Sequence, residues 1–190
     1  MLEFISRRVF LQLAAVFASP SRPAPVSAQS IQPQSSRWTG TVLQADEGEH
    51  LVSGRRRAPM RIKVDSRKAV GATMSMVISE VAAGASIPIH LHRHEDELIF
   101  IHTGSGVVTL GDRKVPSSAG AMLYAPRGVW HGIENTGSDL LTWCAIWSPP
   151  GFEQFFRETG VAPGFTGAGP TPDQIAESAR KYGMVFRDPA

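Results

Sequence analysis

Cysteine is almost missing from this 190-residue sequence, where Cys144 stands alone. One cysteine closes no intramolecular disulfide and builds no thiolate cluster, so sulfur cannot supply the ligands of a metal centre. Its apolar setting predicts a buried, inert thiol. A membrane-spanning run is missing as well. The apolar stretch from Val9 through Ala18 is about ten residues, whereas a helix crossing ~30 Å of hydrocarbon needs roughly twenty. Excess charge of one sign is also lacking, the formal net charge being +2. Residues 1–28 hold Arg7, Arg8 and Arg22 against Glu3, so of 19 basic and 17 acidic side chains the remainder carries 16 of each. A balanced body gives no reason to expect a nucleic-acid partner. The run Arg55, Arg56, Arg57 reads as a solvated loop between strands. With 42% hydrophobic residues, the chain has the size of one globular domain plus tails.

The N-terminus reads as an address. Ser6-Arg7-Arg8-Val9-Phe10-Leu11-Gln12, then a modestly apolar run and a Ser/Pro/Ala-rich stretch, resembles a twin-arginine export signal. Val26-Ser27-Ala28 suits a signal peptidase, which places cleavage after Ala28. The resemblance implies a periplasmic or otherwise exported protein that folds, and loads any metal, before leaving the cytoplasm. Residues 29–37, rich in Gln, Ser and Pro, read as a flexible leader.

From Trp38 to Pro149, short β-type runs recur every eight to twelve residues, each closed by Gly, Pro or Asp. That is the pattern of an antiparallel sandwich or barrel. Strands are expected at Met60–Val64, Thr73–Val81, Leu98–His102, Val107–Leu110, Ala121–Ala125 and Leu140–Trp147, with turns at Gly111-Asp112 and Thr136-Gly137. There is no internal repeat. Residues 150–190 form a C-terminal helical extension packing on the barrel. Phe152, Phe155 and Phe156, at i, i+3 and i+4, make a docking stripe. Thr171-Pro172-Asp173-Gln174 opens a further helix with Thr171 as cap, Pro172 at its first position and Gln174 completing a capping box. Ile175, Ala179 and Tyr182 share its apolar side, and Gly183 ends it after Arg180 and Lys181.

Five of the six histidines lie between positions 90 and 131. Alternate strand residues share a face, so His90 and His92 point to one side, close enough to bind one ion, with Leu91 on the other. The charged stretch Arg93-His94-Glu95-Asp96 lets the chain reverse. Glu97 then starts a returning strand in which Glu97, Ile99 and Ile101 line the interior and Leu98, Phe100 and His102 face outward. His131 must arrive from a distant strand.

Gly84-(five)-His90-x-His92-(four)-Glu97-(six)-Gly104 resembles the first motif of the cupin superfamily at every anchor. Gly120-(five)-Pro126-x-Gly128-(two)-His131-(three)-Asn135 resembles the second, after a fifteen-residue spacer. The wider likeness is to single-domain cupins of the quercetin-dioxygenase-like group. It implies an all-β fold, the cupin jelly-roll β-barrel, here with short C-terminal α-helices. It also implies four metal ligands, His90, His92, Glu97 and His131. Gly104 and Gly128 suit tight turns, and Pro126 fixes the loop that delivers His131. A register shifted to His92, His94 and Glu97 is the alternative ligand reading.

Around the motifs, His94 belongs at the pocket mouth or surface, and His102 is structural or a subunit contact, a homodimer being open. Trp130, Trp143 and Trp147 form either an aromatic wall for a planar ligand or core. Met74, Met76 and Tyr124 fit the barrel interior. Glu95 and Asp96 read as solvated turn carboxylates, with a bond to a ligand imidazole as the other option. Three imidazoles and a carboxylate suit one divalent transition metal, Fe or Mn first given cytoplasmic folding, with Ni, Co, Cu or Zn also compatible. The expected partner is a small organic substrate, with no membrane once the signal is removed. The family likeness favours a dioxygenase-type oxidoreductase. The alternatives are a redox-neutral metal-dependent isomerase, decarboxylase or lyase, and a non-enzymatic periplasmic small-molecule binding protein.

Overall fold

A computed structural model describes residues 40–187, apart from Arg55, Ser66, Lys68 and Val70. The expected signal (1–28), the leader (29–37) and the expected start of the barrel at Trp38 lie outside the described residues. The elements in chain order are β1 (Glu49–Ser53), β2 (Pro59–Val64), β3 (Ser75–Val81), β4 (Ser86–His92), β5 (Asp96–Thr103), β6 (Ser105–Leu110), β7 (Arg113–Ser118), β8 (Met122–Ala125), β9 (His131–Glu134), β10 (Leu141–Ser148), α1 (Glu153–Thr159), β11 (Gly160–Val161), α2 (Pro172–Lys181) and β12 (Met184–Phe186). Two antiparallel sheets result, ordered β11-β1-β2-β3-β10-β5-β8 and β12-β4-β9-β6-β7. The fold is an all-β cupin jelly roll with two short helices. Among the described residues no helix is long and apolar enough to cross a membrane.

Alternation drives the packing. In β10, Leu141, Trp143, Ala145 and Trp147 are buried while the residues between them are half-buried, so one face of a central strand lies in the core. β5 follows the same rule, burying Glu97, Ile99 and Ile101 and leaving Phe100 and His102 exposed. Truncating a fully buried ring such as Trp147 or Phe152 would cost about 3–5 kcal/mol. The core continues through Phe152, Phe155, Phe156, Ala179 and Met184, so the C-terminal segment shares it with the barrel. Thr171 and Gln174 form the expected capping box, and Gly183 follows α2 with φ +71°.

Several expectations need correction. Met74 and Tyr124 are about half exposed (45% and 50%), and Met76 is not in the core. The inward positions are Ser75, Val77, Ser79 and Val81 on β3, and Leu123 and Ala125 on β8, one residue out of step with the assumed register. β7 carries no clear strand signal in the sequence because Pro116 interrupts it. It is the last strand of its sheet, where a residue without N–H is tolerated. β12, a three-residue strand behind a helix, is too short to carry a strand pattern either. It pairs Met184 with His92 and Phe186 with His90. Cys144 is half-buried rather than sealed, and burial raises its thiol pKa, consistent with low reactivity.

Candidate metal centre

The short connection that carries the chain from β4 in one sheet to β5 in the other brings three of the four cluster residues together. His90 and His92 occupy the inner face of β4, and Leu91 faces the other way. Glu97 opens the inner face of β5, opposite Ala125 and Trp147. His131 begins β9, which runs beside β4 with His131 opposite His90. A turn closed by Val129 N–H donating to the Pro126 carbonyl (3.0 Å) precedes it. Gly128 is its third residue, at φ +80°, a conformation that favours glycine in that position.

All four side chains are buried, and their donor atoms lie within 4.8 Å of one another. Glu97 Oε2 is 2.7 Å from His131 Nε2, 2.9 Å from His92 Nε2 and 3.9 Å from His90 Nε2. Donors bound at about 2.1 Å stand roughly 3.0 Å apart when adjacent and roughly 4.2 Å apart when opposite, so this spread fits one small cation. The outer nitrogens settle which lone pairs face inward. Nδ1 of His90 donates to the Pro88 carbonyl (2.8 Å) and Nδ1 of His131 to the Val129 carbonyl (2.9 Å). Trp147 Nε1–H donates to His92 Nε2 at 3.3 Å. Neutral His90 and His131 held this way aim their Nε2 lone pairs at Glu97, an arrangement that repels unless a proton or a metal ion sits between.

Electrostatics agree with that reading. Burial pushes the Glu97 carboxyl up, but hydrogen bonds with His131 and His92 outweigh it and hold the pKa below the usual carboxylate range. Burial, reinforced by His131, lowers His90 to about 3, so it stays neutral and ready to ligate. For His131 burial lowers the pKa, but the bond to Glu97 prevails and the net direction is upward. The cluster therefore holds a stable negative charge surrounded by imidazoles, an environment that attracts a divalent cation.

The structure redistributes the neighbouring residues. His94 is exposed and lies against Gly183, away from the cluster, so the shifted ligand register is excluded. His102 faces outward, as expected. Asp96, the first residue of β5, is partly exposed and accepts from Arg127 at 3.0 Å, but Glu95 is only 7% exposed and not a solvated carboxylate. Its Oε2 and His92 Nδ1 are both buried without hydrogen-bond partners and stand 3.9 Å apart. Closing that gap by about an ångström would give the carboxylate–imidazole bond that orients a metal-ligating histidine. Burial raises the Glu95 pKa, and the charges of His92 and His94 oppose that rise. The His92-x-x-Glu95 spacing was the available signal.

A cavity of about 950 Å³ opens beside His90 and Glu97, lined by Trp143, Trp147, Phe152, Phe155 and Phe156 among others. Two of the three tryptophans thus form the aromatic wall. Trp130 does not line it and instead lies under the Arg187 guanidinium, 5.0 Å from its ring centre. The helix α1 stripe, read from sequence as packing only, also walls the cavity. Arg56 lines it too, which corrects its expected place in a solvated loop. Its neighbour Arg57 donates to the Phe165 carbonyl at 2.9 Å. Apart from His90 and Glu97, the ionisable residues lining the cavity, among those described, are the two arginines Arg56 and Arg187.

Comparison with known proteins places the motifs in a family context. Residues 77–147 match the Cupin domain model. The chain is 36% identical over 63 residues to an oxalate-binding protein of Thermotoga maritima, covering 33% of this chain and 52% of that protein. It is 29% identical over 121 residues to germin-like protein 11-1 of Oryza sativa subsp. japonica, covering 60% and 51%. The chain spans about half the length of these curated relatives. In structure it resembles a predicted oxalate decarboxylase from Thermotoga maritima (TM-score 0.51, 24% identity, 57% of this chain and 99% of that one). It also resembles KdgF from Halomonas sp. (TM-score 0.53, 20% identity, 61% and 99%). At these identities the structural likeness is one of fold. The matched residues 77–147 contain the buried His90, His92, Glu97 and His131 group, which could hold a metal ion.

Proposed function

We propose that the protein is a mononuclear metal-dependent oxidoreductase of dioxygenase type, acting on a small organic molecule held in the aromatic cavity. The observation that carries it is the cavity wall itself. Isomerases, decarboxylases and lyases move protons at carbon, which calls for a general acid or base of suitable pKa within reach of the substrate. Beyond the cluster, the described lining offers only arginines, which do not titrate near neutral pH. A reaction that adds both atoms of O₂ to the substrate makes smaller demands on such a group.

His90, His92, Glu97 and His131 would hold the metal, with iron or manganese first and Ni, Co, Cu or Zn as alternatives. Bound there, the ion supplies redox and Lewis-acid chemistry at the end of the cavity. Trp147 and Phe152 pack against His92, with ring centres 6.2 and 4.2 Å from it, and exclude water on that side. Trp143, Phe155 and Phe156 supply apolar surface for an aromatic or aliphatic body. The Pro88 and Val129 carbonyls hold the protons of two ligand imidazoles on Nδ1. We place this activity in the periplasm or another exported compartment, after twin-arginine export of the folded chain.

Oxygen uptake by metal-loaded protein with a panel of flavonols and diketones tests the assignment. Uptake with the organic substrate oxidised is expected. Full metal content with no uptake across the panel would contradict it. Turnover without O₂ that survives zinc substitution would favour the redox-neutral alternative, and thermal stabilisation by a ligand without product the binding-protein alternative.

A further inference from the structure

Arg56 sits in the turn joining β1 to β2, and that turn is clamped from several sides. Ser53 N–H donates to the Ala58 carbonyl (2.8 Å), Arg57 N–H to the Ser53 carbonyl (2.8 Å) and Gly54 N–H to the Thr159 carbonyl (3.2 Å). Gly54 packs so closely that a Cβ there would come within 2.6 Å of the Thr159 carbonyl oxygen and also collide with Pro170. The guanidinium is therefore delivered to the cavity from a fixed base. Its Nη1 is buried and has no hydrogen-bond partner. Burial alone lowers its pKa, with no acidic group opposing the shift. Trp143 lines the same cavity, and its Nε1–H is likewise buried without an acceptor. Two donors thus stand unpaired in a pocket whose wall is mostly apolar. An uncompensated buried charge destabilises a fold, and a partner from outside the chain would remove that cost.

Sheet order sets the distance between the two ends. β1 is separated from β5, which carries Glu97, by β2, β3 and β10, giving four inter-strand steps. At about 4.8 Å each this is roughly 19 Å along the curved sheet. The cavity of about 950 Å³ that both ends line has room for a body much larger than a two-carbon acid.

We propose that the cavity takes an elongated organic carboxylate: its carboxylate pairs with Arg56, its apolar body lies across Trp143, Trp147, Phe152 and Phe156, and its far end reaches His90 and Glu97. A carboxylate is the match because its two oxygens accept the parallel N–H bonds of a guanidinium. This names the substrate class of the site proposed above and rests on that reading for the chemistry at the far end, but the anion contact stands apart from any metal.

The test compares decanoate with decan-1-ol by isothermal titration calorimetry on the full chain, as isolated and after EDTA treatment. The expected result is that decanoate binds at least tenfold more tightly than the alcohol, with or without metal. Arg56→Met should weaken decanoate at least tenfold and change the alcohol less than threefold, while leaving the ligand-free melting temperature unchanged or higher because an unpaired charge is removed. No decanoate binding, equal loss of both ligands, or a lower melting temperature for ligand-free Arg56→Met would overturn the proposal. Absence of O₂ uptake across the flavonol and diketone panel, with decanoate still bound through Arg56, would sink the oxidoreductase reading and leave the carboxylate site standing.

Discussion

Asp65 and Glu97 are both buried acids, and their surroundings neutralise them differently. Around Arg157, Glu49 accepts bonds at 2.6 and 2.9 Å and Asp65 one at 2.9 Å, with the Arg67 guanidinium a further 3.9–4.0 Å from both acids. Two acids face two permanent cations, and the charge closes within the chain. Around Glu97 the neighbours are three imidazoles, of which His90 stays neutral under any ordinary condition. There the charge closes only when a proton or a metal ion arrives. The first arrangement is finished structure tying α1 to β1 and to the end of β2. The second is an unfinished coordination sphere, and that difference separates a structural ion pair from a binding site.

The comparison breaks most sharply at its carboxylates. Glu97→Ala should leave no more than background metal by elemental analysis, since it removes the only anionic donor, while the fold remains intact by circular dichroism. Arg157→Ala should do the reverse. Leaving Asp65, which is 3% exposed, without its main partner should cost about 3 kcal/mol in chemical denaturation with metal stoichiometry unchanged. Equal effects of the two variants on metal content would erase the distinction.

A pH series sharpens it. In metal-free protein the raised His131 pKa means the folded state holds a proton more tightly than the unfolded chain does, whose value is near 6.5. That stabilisation is fully present below about 6.5 and is lost as pH rises through the higher folded value. A bound metal ion replaces the proton and removes this loss. The gap in melting temperature between metal-loaded and EDTA-treated protein should therefore widen from pH 6 to pH 8, and a constant gap would mean that proton and metal do not compete for Glu97. Smaller again is Glu95→Gln. If Glu95 orients His92, metal affinity should fall by about tenfold while stoichiometry at saturating metal stays the same.

Much of this was legible in the sequence because strand alternation is local. A single residue, Leu91, separates His90 from His92, so their shared face follows from the strand period alone, and the burial of Ile99 and Ile101 follows from Glu97 in the same way. Features that depend on the path of a turn were not legible. The burial of Glu95 depends on how the chain reverses after His92, and the entry of Arg56 into the cavity depends on Gly54 packing against Thr159 and Pro170, more than a hundred residues away. A run of three arginines carries no record of which one points inward. β12 was hidden for a related reason: its three residues become a strand only because β4 has a free edge beside the ligand histidines.

The central claim is that the His90, His92, Glu97 and His131 cluster holds one transition-metal ion, and elemental analysis of the protein purified from its native compartment tests it most directly. The account predicts about one equivalent per chain in the wild type and background in His131→Ala. Full stoichiometry in His131→Ala, or no transition metal in the wild type, would contradict it.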